Sequence, residues 1–309
     1  MLSKMIECIK AVAQGFSHKA QGKPCQDFAG IVRKKGFAIL SVADGHGGER
    51  YFRSEAGARI AVEVAEAEFQ KLLIDISKRH WLDGKINWEQ TIKALESNIV
   101  KEWQNKVEAD FAQRSLSEKE KILAEKLGID FDALQGGNSE CEKICGVRFR
   151  NSEILRCYGS TLFSALYIPA LGFPLSKKSF WIAIQIGDGL TFALDENGGE
   201  FLPIPEDKNL GFGLTTSLCS SDAAEHFRHS FGFSKLKAIV VCSDGVADSF
   251  AKEKFGGFVK DILNNVNEQG GEKVQNELQA YFPKLSEQGS GDDLSLAGIF
   301  EVRRKEEKN

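Results

Sequence analysis

Asp44-Gly45-His46-Gly47-Gly48, Gly187-Asp188-Gly189 and Ser243-Asp244-Gly245 each set a carboxylate at the end of an apolar run and turn the chain there. The runs are Ala38 to Val42, Trp181 to Ile186 and Ala238 to Cys242. Gln26-Asp27 and Gly291-Asp292-Asp293 place further carboxylates at predicted strand edges. An Asp-Gly pair alone is a turn signal, and this reading is strongest at Asp188-Gly189, with strands on both sides. It explains Asp44-Gly45-His46 and Ser243-Asp244-Gly245 poorly, because a helical pattern follows each. Carboxylates converging at strand ends repel one another unless a cation sits among them. Hard divalent ions with oxygen ligands, Mg²⁺ or Mn²⁺, suit such a set. Glycine beside the carboxylates lets an ion or a phosphate approach the backbone, since no Cβ intervenes.

The elements that must carry these residues follow from periodicity. Residues 6–13, 29–33 and 37–43 read as strands. Helical spacing then covers roughly 49–79 and 88–113. A capping box, Ser117-x-x-Glu120, opens a third helix that Gly128 stops. Residues to about 151 read as an inserted loop or lid. Strands resume at 154–168, 179–186, 190–195 and 237–243, with a hairpin turn at Asn197-Gly198-Gly199. Helices at 251–267 and 271–281 precede a closing strand at 293–302. Strands and helices do not alternate one by one, so an α+β arrangement with antiparallel sheets is expected.

Bulk composition narrows the function. Of 309 residues, 42% are hydrophobic and 22 are Phe, enough for a packed core. The net charge of −4 and the lack of a basic, aromatic-rich stripe give no nucleic-acid footprint. The seven cysteines are irregularly spaced and fit a reducing cytoplasm. Cys157 to Ser176 is uncharged over a membrane-spanning length, but Gly159, Pro169, Gly172 and Pro174 make it strand, turn and strand instead. No membrane association is expected.

Taken in order, Gln26-Asp27, Asp44-Gly45-His46-Gly47-Gly48, Gly159-Ser160-Thr161, Gly187-Asp188, Ser243-Asp244-Gly245 and Asp292-Asp293-Leu294-Ser295 resemble the protein phosphatase 2C family of metal-dependent Ser/Thr phosphatases. The resemblance spans about residues 13–300, and Cys25-Gln26-Asp27 is similar to the bacterial members. It implies a sandwich of two antiparallel β-sheets flanked by α-helices, with a metal cleft at one end. In that scheme Asp44 bridges two Mg²⁺ or Mn²⁺ ions and the Gly45 carbonyl binds one of them. Asp244 and Asp292 hold the other, and Asp188 helps hold a possible third. Asp27 is a ligand or an acceptor for metal-held water, and His46 is the general acid. A water shared by the two ions would attack phosphorus directly, without a phospho-enzyme. His46, titrating near neutrality, would protonate the leaving oxygen.

The resemblance further implies a single phosphatase domain over residues 1–309, with an insertion at about 112–152 and a short flap between 189 and 236. A phosphorylated protein is the implied substrate, and a cognate Ser/Thr kinase the implied partner. Two departures stand out. Gln26 replaces a glutamate of many members, and Gly22 stands where many have an arginine. His18, Lys19 and Lys23 are then the nearest candidates to grip phosphate. Gln26 also leaves open a pseudophosphatase that serves as a binding module. A phosphatase of small phosphate esters is the remaining alternative.

Overall fold

The computed structural model describes residues 3–78, 86–129, 152–170, 178–205 and 215–304. Ten strands form two five-stranded antiparallel sheets. The first runs β1 (Ser3–Ala13), β10 (Leu294–Arg304), β9 (Leu236–Cys242), β6 (Leu190–Asp195) and β7 (Glu200–Phe201). The second runs β2 (Phe28–Lys34), β3 (Phe37–Ala43), β4 (Leu162–Ile168), β5 (Phe180–Ile186) and β8 (Arg228–Gly232). The helices are α1 (Phe16–Ala20), α2 (Ser54–Lys78), α3 (Trp88–Gln113), α4 (Glu118–Leu127), α5 (Ser152–Cys157), α6 (Asp244–Ala247), α7 (Phe255–Gln269) and α8 (Gly271–Gln288).

Side-chain alternation explains the layering. On β3, Leu40 and Val42 face the other sheet and meet Ile239, Val241, Ala297 and Ile299. Ile39, on the opposite face, packs with Ile60, Val64, Ile99 and Trp103 of α2 and α3. On β9, Val240 turns outward to Val259, Ile262 and Phe282 of α7 and α8. Each sheet is thus apolar on both faces, which is why its strands read as continuous hydrophobic runs rather than alternating ones. The expected class, two antiparallel sheets flanked by helices, is the observed one.

Several elements differ from the sequence reading, three of them near the site or its sheets. Residues 154–157 close a short helix, and the strand starts only at Leu162. Ile154, Leu155 and Cys157 are buried, and an apolar cluster that short fits helix and strand equally until Gly159 breaks it. β8 was not anticipated, because Arg228, His229 and Ser230 make an edge strand with little apolar signal. α8 continues through Pro283 to Gln288, where the sequence had suggested a stop near 281. The capping box at Ser117 and Glu120 forms as expected, with Gly128 left-handed at the helix end. The rest of the expected insertion, 130–151, and residues 206–214 of the flap lie outside the described residues. No described helix is long and apolar enough to cross a membrane.

Register gathers the chemistry. Phe28 pairs with Ala43, Leu162 with Ile186, Leu190 with Cys242, and Ala13 with Leu294. Asp27, Asp44, Asp188, Asp244 and Asp292 all flank these pairs. They therefore stand at one end of the sandwich.

Candidate active site

Asp44 leaves β3 into a backbone frame built by Gly159-Ser160-Thr161. Its N–H donates to Thr161 Oγ1 at 3.0 Å, and its carbonyl accepts from Thr161 N at 2.9 Å and from Ser160 Oγ at 3.1 Å. The Gly45 N–H donates to the Gln26 carbonyl at 3.1 Å, and the His46 N–H donates to the Gly159 carbonyl at 3.0 Å. Crowding explains the glycines. A Cβ on Gly45 would lie 2.7 Å from both the Gln26 and Ser54 carbonyl oxygens, and one on Gly159 would lie 2.7 Å from the His46 ring.

The imidazole is fixed from two sides. His46 Nε2 is 2.7 Å from Ser217 Oγ, and Tyr51 packs edge-on with ring centroids 4.8 Å apart. Ser217 Oγ donates to the Ser160 carbonyl at 3.2 Å, and Leu218 N donates to the same oxygen. Two residues earlier, Thr215 Oγ1 donates to Asp188 Oδ1 at 2.9 Å, and Thr216 Oγ1 accepts from Gly187 N at 2.9 Å. The segment 215–218 thus anchors both His46 and Asp188. Nothing in its sequence, Thr-Thr-Ser-Leu, signals that role.

Asp27 is buried behind the cleft, where the Ser295 hydroxyl donates to Oδ2 at 2.5 Å. Asp293, named in the sequence motif without a role of its own, acts as a clamp on the backbone. It accepts from Gly15 N at 2.5 Å and Gln26 N at 2.6 Å, and its Oδ2 lies 2.9 Å from His18 Nδ1. It ties the β1–α1 junction to the segment before β2. Its neighbour Asp292 is the one that reaches the cleft.

That cleft, about 1040 Å³ in volume, is lined by Asp44, Gly45, His46, Asp188, Asp244, Asp292 and His18. Lys19 and Lys23 are not among its described lining residues; Lys23 Nζ sits 3.4 Å from the Gly47 carbonyl. Two cations that the sequence reading missed do line it, Arg50 and Arg156. Arg50 follows the glycines after His46 and Arg156 precedes Gly159 by three, so proximity to those motifs was the available signal.

Electrostatics set this end apart. Burial, then Asp27, Asp244, Asp292 and Asp188, hold the Asp44 carboxyl well above the usual carboxylate range. Burial likewise lifts Asp27 to about 7, and burial with Asp188 and Asp292 lifts Asp244 to about 6. Burial pushes His46 down to about 4, with Asp188 pulling the other way. This departs from the expectation of an imidazole titrating near neutrality, because desolvation penalises the cation.

Among the described residues, no three acidic, His or Cys side chains close on a common point at ligand distance. The carboxylates form a spread acidic wall, and what fits a divalent cation there is their chemistry. They are hard oxygens, with Asp44 and Asp244 half-buried and Asp188 and Asp292 exposed, and they repel one another in ionised form. Gln26 adds a buried Oε1 with no hydrogen-bond partner among the described residues.

The profile of the protein phosphatase 2C family matches residues 14–282. The chain belongs to the protein phosphatase 2C family. That membership makes it a protein-serine/threonine phosphatase, and it supports dependence on a divalent metal and action on phosphoproteins. No curated protein matches the sequence. Solved structures with this fold include PppA, a key regulatory component of T6SS in Pseudomonas aeruginosa. It is 11% identical, with 97% of this chain and 100% of that chain covered and a TM-score of 0.53. A bacterial serine phosphatase is 13% identical, covering 99% and 100%, at a TM-score of 0.51. The catalytic domain of the phosphatase PstP in complex with two manganese ions is 12% identical, covering 97% and 100%, at a TM-score of 0.50. At such identities the likeness establishes the fold.

Proposed function

We propose that the chain hydrolyses phosphoserine and phosphothreonine in proteins by direct attack of water, using two Mg²⁺ or Mn²⁺ ions with room for a third. The observation that carries this reading is the convergence of Asp44, Asp188, Asp244 and Asp292 with His46 on one cleft. Two ions among those carboxylates would activate the attacking water and neutralise the phosphoryl oxygens. Asp44 would serve both ions, with the Gly45 carbonyl holding one, Asp244 and Asp292 the other, and Asp188 helping to hold a third. Asp27, gripped by Ser295, would act as a ligand or as an acceptor for metal-held water. His46, oriented by Ser217 and Tyr51, stands as the proton donor to the leaving oxygen. The whole chain acts as one phosphatase domain in the cytoplasm opposite a Ser/Thr kinase, and the 112–152 insertion and the flap shape substrate access.

The pseudophosphatase alternative rested on Gln26. Its Nε2 donates to the His46 carbonyl at 3.0 Å and to Ser54 Oγ. A glutamate carboxylate could make neither donation. Gln26 therefore reads as part of the frame around His46, which weakens the case for lost turnover.

Purified protein should release phosphate from a phosphothreonine peptide when Mn²⁺ is added and lose that activity in chelator. Asp44→Asn should reduce the release to background. Wild-type release no greater than that of Asp44→Asn would overturn the reading. Release from p-nitrophenyl phosphate alone would favour a small-ester substrate.

A further inference from the structure

Five of the residues lining the cleft are carboxylates that repel an incoming anion, and fixed positive charge nearby offsets that repulsion. Arg50 and Arg156 are the lysine or arginine side chains among the described lining residues. They are not scattered. Glu153 holds them side by side, accepting from Arg50 Nη2 at 3.0 Å through Oε2 and from Arg156 Nη1 at 3.1 Å through Oε1. One carboxylate against two guanidinium groups leaves net positive charge. Arg50 Nε is shielded from solvent with no acceptor among the described residues, a desolvated donor that an incoming acceptor would satisfy. The nearby Asp222, also on the cleft wall, is engaged by His226 Nε2 at 3.0 Å.

We propose that Arg50 and Arg156, positioned by Glu153, form an anion-recognition subsite for the substrate. This rests on the phosphatase reading and names the part of the cleft that grips. The ligand chemistry is a planar or tetrahedral oxyanion, which a guanidinium fork binds through paired donors. Two groups of a phosphopeptide carry it: the phosphoryl group under attack, and a carboxylate on a residue flanking it. Both arginine side chains are close to half exposed, at 41% and 46%, so their substitution should leave the fold intact.

The test uses the full chain with Mn²⁺ and three substrates: p-nitrophenyl phosphate, a phosphothreonine peptide with neutral flanks, and the same peptide with acidic flanks. Arg50→Gln, Arg156→Gln and their double variant are compared with Arg59→Gln, whose guanidinium pairs with Glu63 on the exposed face of α2. The double variant should raise KM roughly ten- to a hundredfold with little change in kcat, as expected for lost charge-assisted hydrogen bonds. Arg156→Lys, which keeps the charge and loses the fork, should fall between. A rise on all three substrates assigns the subsite to the reacting phosphoryl group, and a rise only on the acidic peptide assigns it to a flanking carboxylate. An unchanged KM in the double variant, or an equal rise in Arg59→Gln, would overturn the proposal. Calorimetric titration of the acidic phosphopeptide into Asp44→Asn, with and without the two arginines, reads the subsite without turnover. Equal affinity in both backgrounds refutes it even if the wild type proves inactive.

Discussion

His46 shows how a side chain can be legible in role and illegible in state. Its position after Asp44-Gly45 marked it as a candidate acid, and the structure places it on the cleft. Its hydrogen-bond partner Ser217 lies 171 residues away in a stretch with no motif, and its burial lowers its basicity. Neither fact is written locally, because both depend on what the folded chain brings against the ring. If His46 donates a proton to the departing oxygen, the requirement should scale with leaving-group basicity. His46→Ala is expected to lower kcat on a phosphothreonine peptide by a hundredfold or more, on the order of a general acid's contribution. The same variant should lose far less on p-nitrophenyl phosphate, whose leaving group departs unaided. Equal losses on both substrates would remove His46 from that role. Asp293 teaches a similar lesson: adjacent aspartates read alike in sequence, yet one reaches the cleft and the other binds two backbone N–H groups.

The turn Gly159-Ser160-Thr161 between α5 and β4 does for the site what a bolt does for a hinge. It contributes no charge, but it holds the Asp44 backbone and admits the His46 ring. Gly159→Ala would set a methyl group 2.6 Å from the Tyr51 ring and 2.7 Å from His46. Those are side chains that can move, so the expected damage is to placement. Activity should drop roughly a hundredfold, the scale of a displacement near 1 Å, with only a modest change in melting temperature. Gly57→Ala is the contrast, because its Cβ would lie 1.8 Å from the Tyr158 carbonyl oxygen, a rigid backbone atom. That variant should lose about 1–3 kcal/mol or more of stability by denaturant melting. If the two variants lose stability equally, the distinction between side-chain and backbone crowding fails. At this scale the sequence was most readable where both faces of a strand are apolar, as in β3, β5 and β9. It was least readable at β8, where one polar edge carries little pattern.

Across the whole molecule, the acidic wall sets a balance between stability and function. In the unfolded chain these carboxyls ionise near pH 4. In the folded, metal-free chain Asp244 ionises at about 6 and Asp27 at about 7, and Asp44 is also held high. The folded state therefore binds more protons, and these groups lower stability as pH rises from about 4 through 7. In chelator, Asp44→Asn should melt higher than wild type at pH 7.5, and the difference should shrink as pH falls toward 4. Saturating Mn²⁺ should reverse the order, since the metal stabilises the chain that binds it. Differential scanning calorimetry at several pH values reads both effects. A wild type that is the more stable of the two in chelator at pH 7.5 would contradict the shared cause, desolvation of these carboxylates together with their mutual repulsion.

β10 lies between β1 and β9, and its leading residues Asp292 and Asp293 face the cleft and the β1–α1 junction. On the ribosome this strand emerges after the other described strands. Until it does, the first sheet lacks its second strand, β1 has no neighbour, and the acidic wall is missing a member. A nascent chain can build the β3–β4–β5 half early, yet it can neither close that sheet sandwich nor complete the acidic wall before residues 292–304 have emerged. The order of the strands thus sets the point at which the site can be completed.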